Sequence, residues 1–235
     1  MLRVARPQDR QGLKEPQQDR SRRTLERMLD AAVDLMNEGT FEKARVTEVV
    51  RRAGCSVGAF YARFSGKEAL FLAAQDHFLG RLEHVIEGLT DARRWEGRTL
   101  EYRVRGVLNE VLKIFQKHAG ILGATSLHLR SRNDVESLAR GRKFNRAAWS
   151  RIGSVFLACR SEMSHPDPDQ AVAVALSFTF SAMRERIVFR KTELVPLQIS
   201  NRAFVEELIR ACLSYLQVGP QRAPQENARK KGRSR

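Results

Sequence analysis

Apolar side chains recur every three or four residues along most of residues 21–217, and this spacing constrains the fold more than any other feature of the chain. The period places them on one face of an α-helix, whereas a half-buried strand would alternate apolar and polar residues. The seven prolines lie at segment ends and joints, where they do not interrupt a helix. The pattern predicts an all-α protein.

Glycine and proline divide this pattern into nine predicted helices. They cover residues 21–37, 46–53, 57–63, 67–85, 100–115, 120–128, 135–159, 171–189 and about 200–217. The second and third are short, and the tight turn Gly54-Cys55-Ser56 joins them. A pair of short helices around such a turn, preceded by another helix, is typical of a helix-turn-helix. We therefore predict a three-helix DNA-binding head over residues 20–80 and a larger helical body over residues 81–218.

The charge of the chain favours an anionic partner. Lys and Arg number 42 against 27 Asp and Glu, which gives a formal net charge of +15. A surplus of this size is typical of proteins that bind nucleic acid or a membrane surface. Residues 219–235 hold six Lys or Arg and one Glu, with almost no apolar side chains. We predict a disordered basic tail there and a disordered arm over residues 1–19, because neither segment can offset the entropy of ordering.

Several other classes of protein lack their usual sequence signals. No apolar run approaches the roughly 20 residues that span a bilayer, and the N-terminus has no apolar stretch typical of a signal peptide. Cys55, Cys159 and Cys212 are far apart and form no CxxC pair, which argues against disulfides and zinc. His77 and His84 lie seven residues apart, too far to share a metal. We expect a cytoplasmic protein with no metal, no cofactor and no membrane partner.

The third helix supplies the side chains that we expect to meet DNA. In a helix-turn-helix this element lies in the major groove, and its first exposed residues meet base edges. Gly58 would let the backbone approach a phosphate, and Tyr61, Arg63 and Lys67 end in donors suited to phosphates. The predicted DNA-binding set is Arg22, Thr47, Ser56, Val57, Gly58, Ala59, Tyr61, Ala62, Arg63 and Lys67.

Residues 53–70 read AGCSVGAFYARFSGKEAL, which resembles the pattern AGVSxGxxYxHFxxKxxL of the tetracycline-repressor (TetR) family of regulators. The resemblance covers about residues 21–72. It implies a homodimer that binds double-stranded operator DNA and releases it when a small ligand enters the helical body. Most members of the family repress transcription. The resemblance therefore gives the body two expected roles, ligand binding and dimerisation.

The chain departs from the family pattern at several positions. Cys55 stands where Val is usual, and Ala59 stands where Thr or Ser often contacts DNA. Arg63 replaces the usual His, and we expect it to strengthen a phosphate contact rather than a base contact. The second helix lacks the family's threonine at its start, so its nearest hydroxyl is that of Thr47.

The last two helices carry more apolar surface than one core can cover. A helix on the outside of a monomer needs one apolar stripe, and a second stripe needs a second cover. A second copy of the chain is the simplest cover, and the alternative is a helix buried in the middle of one domain. The predicted dimer interface comprises Val174, Phe178, Val205, Ile209, Cys212 and Leu216.

The resemblance also implies a pocket enclosed by the fourth, fifth, seventh and eighth helices. Large apolar groups there would suit an apolar or amphipathic effector. The predicted lining is Phe78, Leu108, Phe115, His118, Trp149, Phe178, Met183 and Arg184. Core packing is the alternative for Trp149, and compensation of a helix dipole is the alternative for Arg184.

Two other functions remain open at this point. An enzyme would be expected to show a catalytic triad, paired carboxylates, a phosphate loop or a metal motif, and the sequence contains none. A non-specific coating protein of DNA or membranes is suggested only by the net charge of +15. Cys55 is either a redox switch or, as is more usual in such turns, a small buried apolar group. The leading hypothesis is a ligand-relieved repressor that acts as a homodimer.

Overall fold

The computed structural model describes residues 15–131, 135–190 and 197–219, and these residues form an all-α fold, as predicted. The α-helices, with their bounds, are α1 (Glu15–Asn37), α2 (Val46–Ala53), α3 (Val57–Tyr61), α4 (Lys67–Leu89), α5 (Leu100–Lys117), α6 (Ala119–Ser131), α7 (Val135–Leu157), α8 (Pro168–Val188) and α9 (Asn201–Tyr215). Short 3-10 turns occupy Ala92–Trp95 and Arg160–Glu162. Among the described helices, none combines the length and the apolarity that crossing a bilayer requires.

The head is formed by α1, α2, α3 and the first half of α4. Its core holds the apolar stripe of α1, including Met28 and Leu35, together with Phe60 from α3 and Leu70 from α4. All four side chains are buried. Burial of this kind contributes about 1.5–3 kcal/mol for each large side chain, so the short α2 and α3 depend on packing against α1 rather than on their own helix propensity.

The body is built around a second core to which α5, α7, α8 and α9 contribute. Leu108 of α5, Phe156 of α7, Met183 of α8 and Ile209 of α9 are all fully or almost fully buried in it. Asp167 begins α8 by accepting a hydrogen bond from the backbone N–H of Gln170 at 3.0 Å. This cap at the helix start selects one of the two aspartates that flank Pro168.

The two cores are connected through α4 and α6. The predicted boundary at residue 80 falls inside α4, which continues without a break from Lys67 to Leu89. Ile121 of α6 and Ala148 of α7 also belong to the head's core. Head and body therefore share a continuous helix and a common set of apolar contacts.

Some predicted segment ends differ from the structure. The predicted N-terminal arm covered residues 1–19, but α1 already begins at Glu15, because a proline at the second helical position needs no amide hydrogen there. The third helix ends at Tyr61 rather than at residue 63. The remainder of the predicted arm, residues 1–14, and the predicted tail beyond Gly219 lie outside the described residues.

Candidate nucleic-acid interface and internal cavity

The turn between α2 and α3 has the geometry that a helix-turn-helix needs. Gly54 adopts a left-handed conformation with φ 60° and ψ 47°, which ends α2. Ser56 then begins α3, because its hydroxyl accepts a hydrogen bond from the backbone N–H of Ala59 at 3.1 Å. Ser56 is therefore a helix cap.

The outer side of α3 is open to solvent. Val57 is 41% exposed and Tyr61 is 57% exposed, which is unusual for side chains of their size. Ser56, Gly58 and Ala62 are also exposed, and Ala59 is half-buried. Phe60 faces the other way and is fully buried, with its ring centroid 5.4 Å from that of Phe64. The helix thus presents to solvent most of the residues that the sequence predicted to meet DNA.

Arg63 and Lys67 have partners within the head. The Arg63 guanidinium donates to the Ser21 hydroxyl at 2.7 Å and to the Ala59 carbonyl at 2.9 Å. The Lys67 ammonium donates to the Glu42 carbonyl at 2.8 Å and lies 5.0 Å from the centroid of the Phe41 ring. Each side chain therefore holds two elements of the head together, in addition to any contact that it makes with a phosphate.

Arg27 is a candidate DNA contact that the sequence reasoning missed. Its guanidinium lies beside the turn, where a methyl group on Gly54 would meet it at 3.7 Å. Arg20, Arg23 and Arg27 recur at spacings of three and four along α1, so they share one face of the helix, and all three are exposed. The predicted residue Arg22 is exposed too, with its guanidinium 3.6 Å from the Glu26 carboxylate. The i, i+3, i+7 spacing was the signal that would have included Arg27.

The exposed start of α2 carries the predicted Thr47. Arg45, the N-cap residue just before this helix, makes no capping hydrogen bond with its side chain. Farther along, Glu48 accepts hydrogen bonds from Arg51 and Arg52, which lower its pKa to about 2. Glu48 belongs to the first turn of α2, and its ion pairs with the two arginines neutralise the only acidic side chain of that turn.

Cys55 fits the structural interpretation better than a redox one. Burial raises the pKa of its thiol, although the nearby Arg27 and Arg63 act in the opposite direction. A thiolate is the reactive form of cysteine, so a raised pKa disfavours reactivity at neutral pH. Within the described residues, no cluster of three His, Cys, Asp or Glu side chains is arranged to hold a metal ion.

The body contains a partly open cavity of about 370 Å³ between α4, α5, α6, α7 and α8. Its wall is mostly aliphatic and aromatic, with Leu82, Phe115, Trp149 and Phe180 among the larger contributors. This volume lies within the range of about 300–1,000 Å³ that is typical of small-molecule sites. α6 forms part of the wall, although the sequence reasoning had not included it.

Three of the eight predicted lining residues line this cavity, namely Phe115, Trp149 and Arg184. The other five lie elsewhere, and the predicted lining is corrected accordingly. Leu108 and Met183 are fully buried in the body core, and Phe178 packs against Tyr215 on the outer side of α8 and α9. Phe78 is buried in the head core, with the His118 ring 5.0 Å away. Apolar side chains of the same kinds serve the core and the cavity, so composition did not separate them.

His118 lies where the body meets the head. Burial lowers the pKa of its imidazole, and the neighbouring charges of Lys117 and Arg81 lower it further. Its buried Nδ1 has no hydrogen-bond partner among the described residues. The neutral imidazole therefore packs as an aromatic group against Phe78.

The predicted dimer stripe on α9 faces the wrong way. Val205, Ile209, Cys212 and Leu216 are buried within the chain's own core, because this side of α9 packs against α5 and α8. An exposed stripe lies instead on the outer side of α8 and α9. It runs along Val174 of α8 and Ala211 and Tyr215 of α9, past the half-buried Phe178, and includes the small exposed residues Ala173, Ser177, Ser181 and Ser214.

Comparison with known proteins agrees with the geometry. Residues 28–74 match the family model described as bacterial regulatory proteins, tetR family. The chain is 31% identical over 98 residues to YvdT, an uncharacterized HTH-type transcriptional regulator of Bacillus subtilis (strain 168), and 34% identical over 71 residues to the A-factor receptor protein of Streptomyces griseus. These alignments cover 41% and 30% of this chain, and the chain spans 48% and 26% of the two relatives.

Solved structures resemble the chain over most of its length. A TetR transcription regulator from Haloarcula marismortui ATCC 43049 aligns with a TM-score of 0.58 at 18% identity, covering 83% of this chain and 96% of that one. The fatty acid degradation regulator FadR from Bacillus halodurans aligns with a TM-score of 0.58 at 15% identity, covering 81% and 94%. Likenesses at these identities concern the fold. The match to the tetR family model concerns residues 28–74, and over most of its length the chain shares the fold of these regulators.

Proposed function

We propose that this chain is a sequence-specific, DNA-binding transcription repressor that acts as a homodimer and releases its operator when a small molecule occupies the body. The observation that carries the proposal is the exposed outer face of α3, held by Gly54 and the Ser56 cap on a buried core. A short, rigid helix with small residues and one exposed tyrosine fits a major groove.

The dimer is supported by the outer face of α8 and α9. Val174 is 40% exposed, and its exposed neighbours on α8 between residues 171 and 181 are uncharged. Depletion of charge and presence of aromatic groups are typical of the centre of an interface. Here the aromatic groups are Phe178 and Tyr215, whose ring centroids are 5.9 Å apart. A second copy would cover this surface and hold two heads at a fixed separation, as two operator half-sites require.

The ligand response is supported by the continuity of α4. Leu70 and Phe71, near its start, pack in the head core, and Leu82 and Ile86, farther along the same apolar cluster, also line the cavity. A helix rises about 1.5 Å per residue, so α4 extends over about 34 Å as one rigid element. A ligand that displaces the cavity wall therefore moves the head. One relative, the A-factor receptor protein, is by its name a receptor.

The competing functions have weaker support. No metal cluster is present among the described residues, and no catalytic motif is present in the sequence. A coating protein would need basic surface but not an exposed, capped recognition helix. The promoter upstream of the chain's own gene offers a direct comparison, because a regulator binds its operator about 10³-fold or more tightly than random DNA.

A reporter assay tests repression itself. A host carrying that promoter fused to a fluorescent protein is compared with and without the intact chain, and with the Tyr61→Ala variant. We expect the intact chain to lower fluorescence at least about tenfold, and the variant to restore most of it. Unchanged or raised fluorescence with the intact chain would rule out repression. Metabolites that stabilise the purified chain in a thermal-shift screen are then added to the same cells, where a true effector restores fluorescence.

A further inference from the structure

We propose that the cavity between α4 and α8 selects amphipathic monoanions, with the Arg184 guanidinium as the counter-ion at its mouth. The inference rests on the proposed function, because it names the chemical class of effector for the same cavity. It is carried by the wall of the cavity, by the state of its polar groups and by its charge.

The wall favours an apolar tail. Leu79, Ile114, Phe144 and Ile152 line the cavity together with the residues named above, and they come from three different helices. A space lined in this way binds apolar groups because each buried carbon leaves water without losing a hydrogen bond. The tail of the effector should therefore be a hydrocarbon chain or ring.

The polar groups deep in the wall already have partners. The Gln75 amide donates to the Thr125 hydroxyl at 3.1 Å, and Gln75 is itself buried. The Ser126 hydroxyl donates to the Leu122 carbonyl at 2.8 Å. A carboxylate placed at this depth would leave water for a mostly apolar wall with only neutral amide and hydroxyl groups beside it, which is costly for a charged group. The polar part of the effector should therefore lie at the mouth.

The ionisable side chains of the wall leave one positive charge uncompensated. They are Asp76, Arg140 and Arg184. The Asp76 carboxylate lies 3.2 Å from the Arg140 guanidinium, so that pair is neutral overall. Arg184 is exposed, and no carboxylate in the described ranges pairs with it. An exposed guanidinium at the mouth attracts an anion without the cost of burying an unpaired charge.

Asn145 lies level with Arg184 on the facing helix. α7 and α8 run antiparallel, and the Trp149 and Phe180 rings meet with centroids 6.1 Å apart. Asn145 is one turn before Trp149, and Arg184 is one turn after Phe180, so both follow the same contact in the same direction. Both residues line the cavity. The amide and the guanidinium together present donors to one carboxylate-sized group.

Three probes that share the same hydrocarbon tail and differ in the charge of the head group test the proposal. Decanoate and decyltrimethylammonium below their critical micelle concentrations, and decanol below its solubility limit, are titrated calorimetrically into the full chain without DNA. We expect decanoate to bind at least about tenfold more tightly than either of the others. Arg184→Gln should remove this advantage, and Arg184→Lys should keep most of it. Arg190→Gln is the matched control, because Arg190 is exposed near the same end of α8 and does not line the cavity.

The proposal is overturned if decanoate does not bind, if decanol binds as tightly, or if the two glutamine variants weaken decanoate equally. Circular dichroism of both variants confirms that each remains folded. The same samples are then tested for DNA binding with and without decanoate. Decanoate that binds as expected but leaves operator affinity unchanged supports the ligand class and contradicts ligand relief. An operator that is released by other compounds and not by decanoate supports ligand relief and contradicts the ligand class.

Discussion

The backbone N–H of Ile121 donates a hydrogen bond to the side-chain oxygen of Asn37 at 3.2 Å, which joins the first turn of α6 to the last residue of α1. Beside it, Gly120 lies so close to α1 that a methyl group there would overlap the Met36 carbonyl and the Asn37 backbone. Body and head are thus in direct backbone contact at a second place, in addition to the continuous α4.

Gly120→Ala should force α6 away from α1. We expect it to lower the free energy of unfolding by about 1–3 kcal/mol, as overpacking of a tight contact does. Gly88→Ala is the matched control, since Gly88 lies within α4 and a methyl group there meets nothing within 4 Å. That change should stabilise the chain by about 0.5–1 kcal/mol. Urea denaturation followed by circular dichroism measures both, and equal stabilities would contradict the contact.

Tyr61 should contribute a hydrogen bond to DNA rather than to the fold. Loss of a hydrogen bond to a charged phosphate costs about 1.5 kcal/mol, so Tyr61→Phe should weaken binding about tenfold on operator and random DNA alike. Tyr102→Phe is the control, because Tyr102 is 51% exposed but belongs to α5 of the body. Fluorescence anisotropy at one salt concentration measures the affinity of each variant for operator and for random DNA. A loss confined to the operator would mean that Tyr61 reads a base.

The dimer should depend on the exposed stripe, which contains the predicted Val174 and Phe178, and not on the buried α9 residues that were also predicted. Val174→Glu places a charge at the centre of the proposed interface, so we expect a monomer at micromolar concentration by sedimentation velocity. Val85→Glu is the control on an equally exposed valine of α4, 50% exposed, and should remain dimeric. Ile209→Glu is not a useful test, because the side chain is fully buried and the change should unfold the body. A dimeric Val174→Glu would place the interface elsewhere.

The orientation of α9 illustrates how far the sequence could be interpreted. The three- and four-residue spacing was sufficient to find the helix and its apolar side chains. It was not sufficient to decide which of them meet α5 and α8, because the rotation of a helix about its axis is set by contacts distant in the chain. Phe178 and Phe180 show the same limit on α8. They are two residues apart and are the same amino acid, yet Phe178 packs near Tyr215 on the outside while Phe180 lines the cavity.

The head was easier to predict because its signals are local. Gly54 must end α2, Ser56 must begin α3, and the exposed positions of a five-residue helix follow directly from its start. The internal partners of Arg63 and Lys67 were beyond local reasoning, since Ser21 and Glu42 lie 42 and 25 residues away in the chain.

His118 should make the chain less stable in acid. Its pKa is lowered in the folded state by burial and by neighbouring cations, so below about pH 6.5 the unfolded chain takes up a proton that the folded chain resists. Stability should therefore fall as the pH drops from about 6.5 towards the folded pKa, and His118→Gln should reduce this dependence. His84→Gln, at a largely exposed histidine, is the control. Urea midpoints between pH 7.5 and 5 provide the comparison, and identical pH profiles for wild type and His118→Gln would refute the assignment.

The central claim is that the exposed face of α3 recognises a particular DNA sequence. The most direct measurement is a competition titration of the intact chain, at one fixed salt concentration, between the best duplex selected from a random pool and unselected duplexes of equal length. We expect a preference of about 10³-fold or more for the selected duplex, reduced by substitutions on α3. A ratio near one would mean that α3 recognises no particular sequence and that the chain is a basic protein that coats DNA.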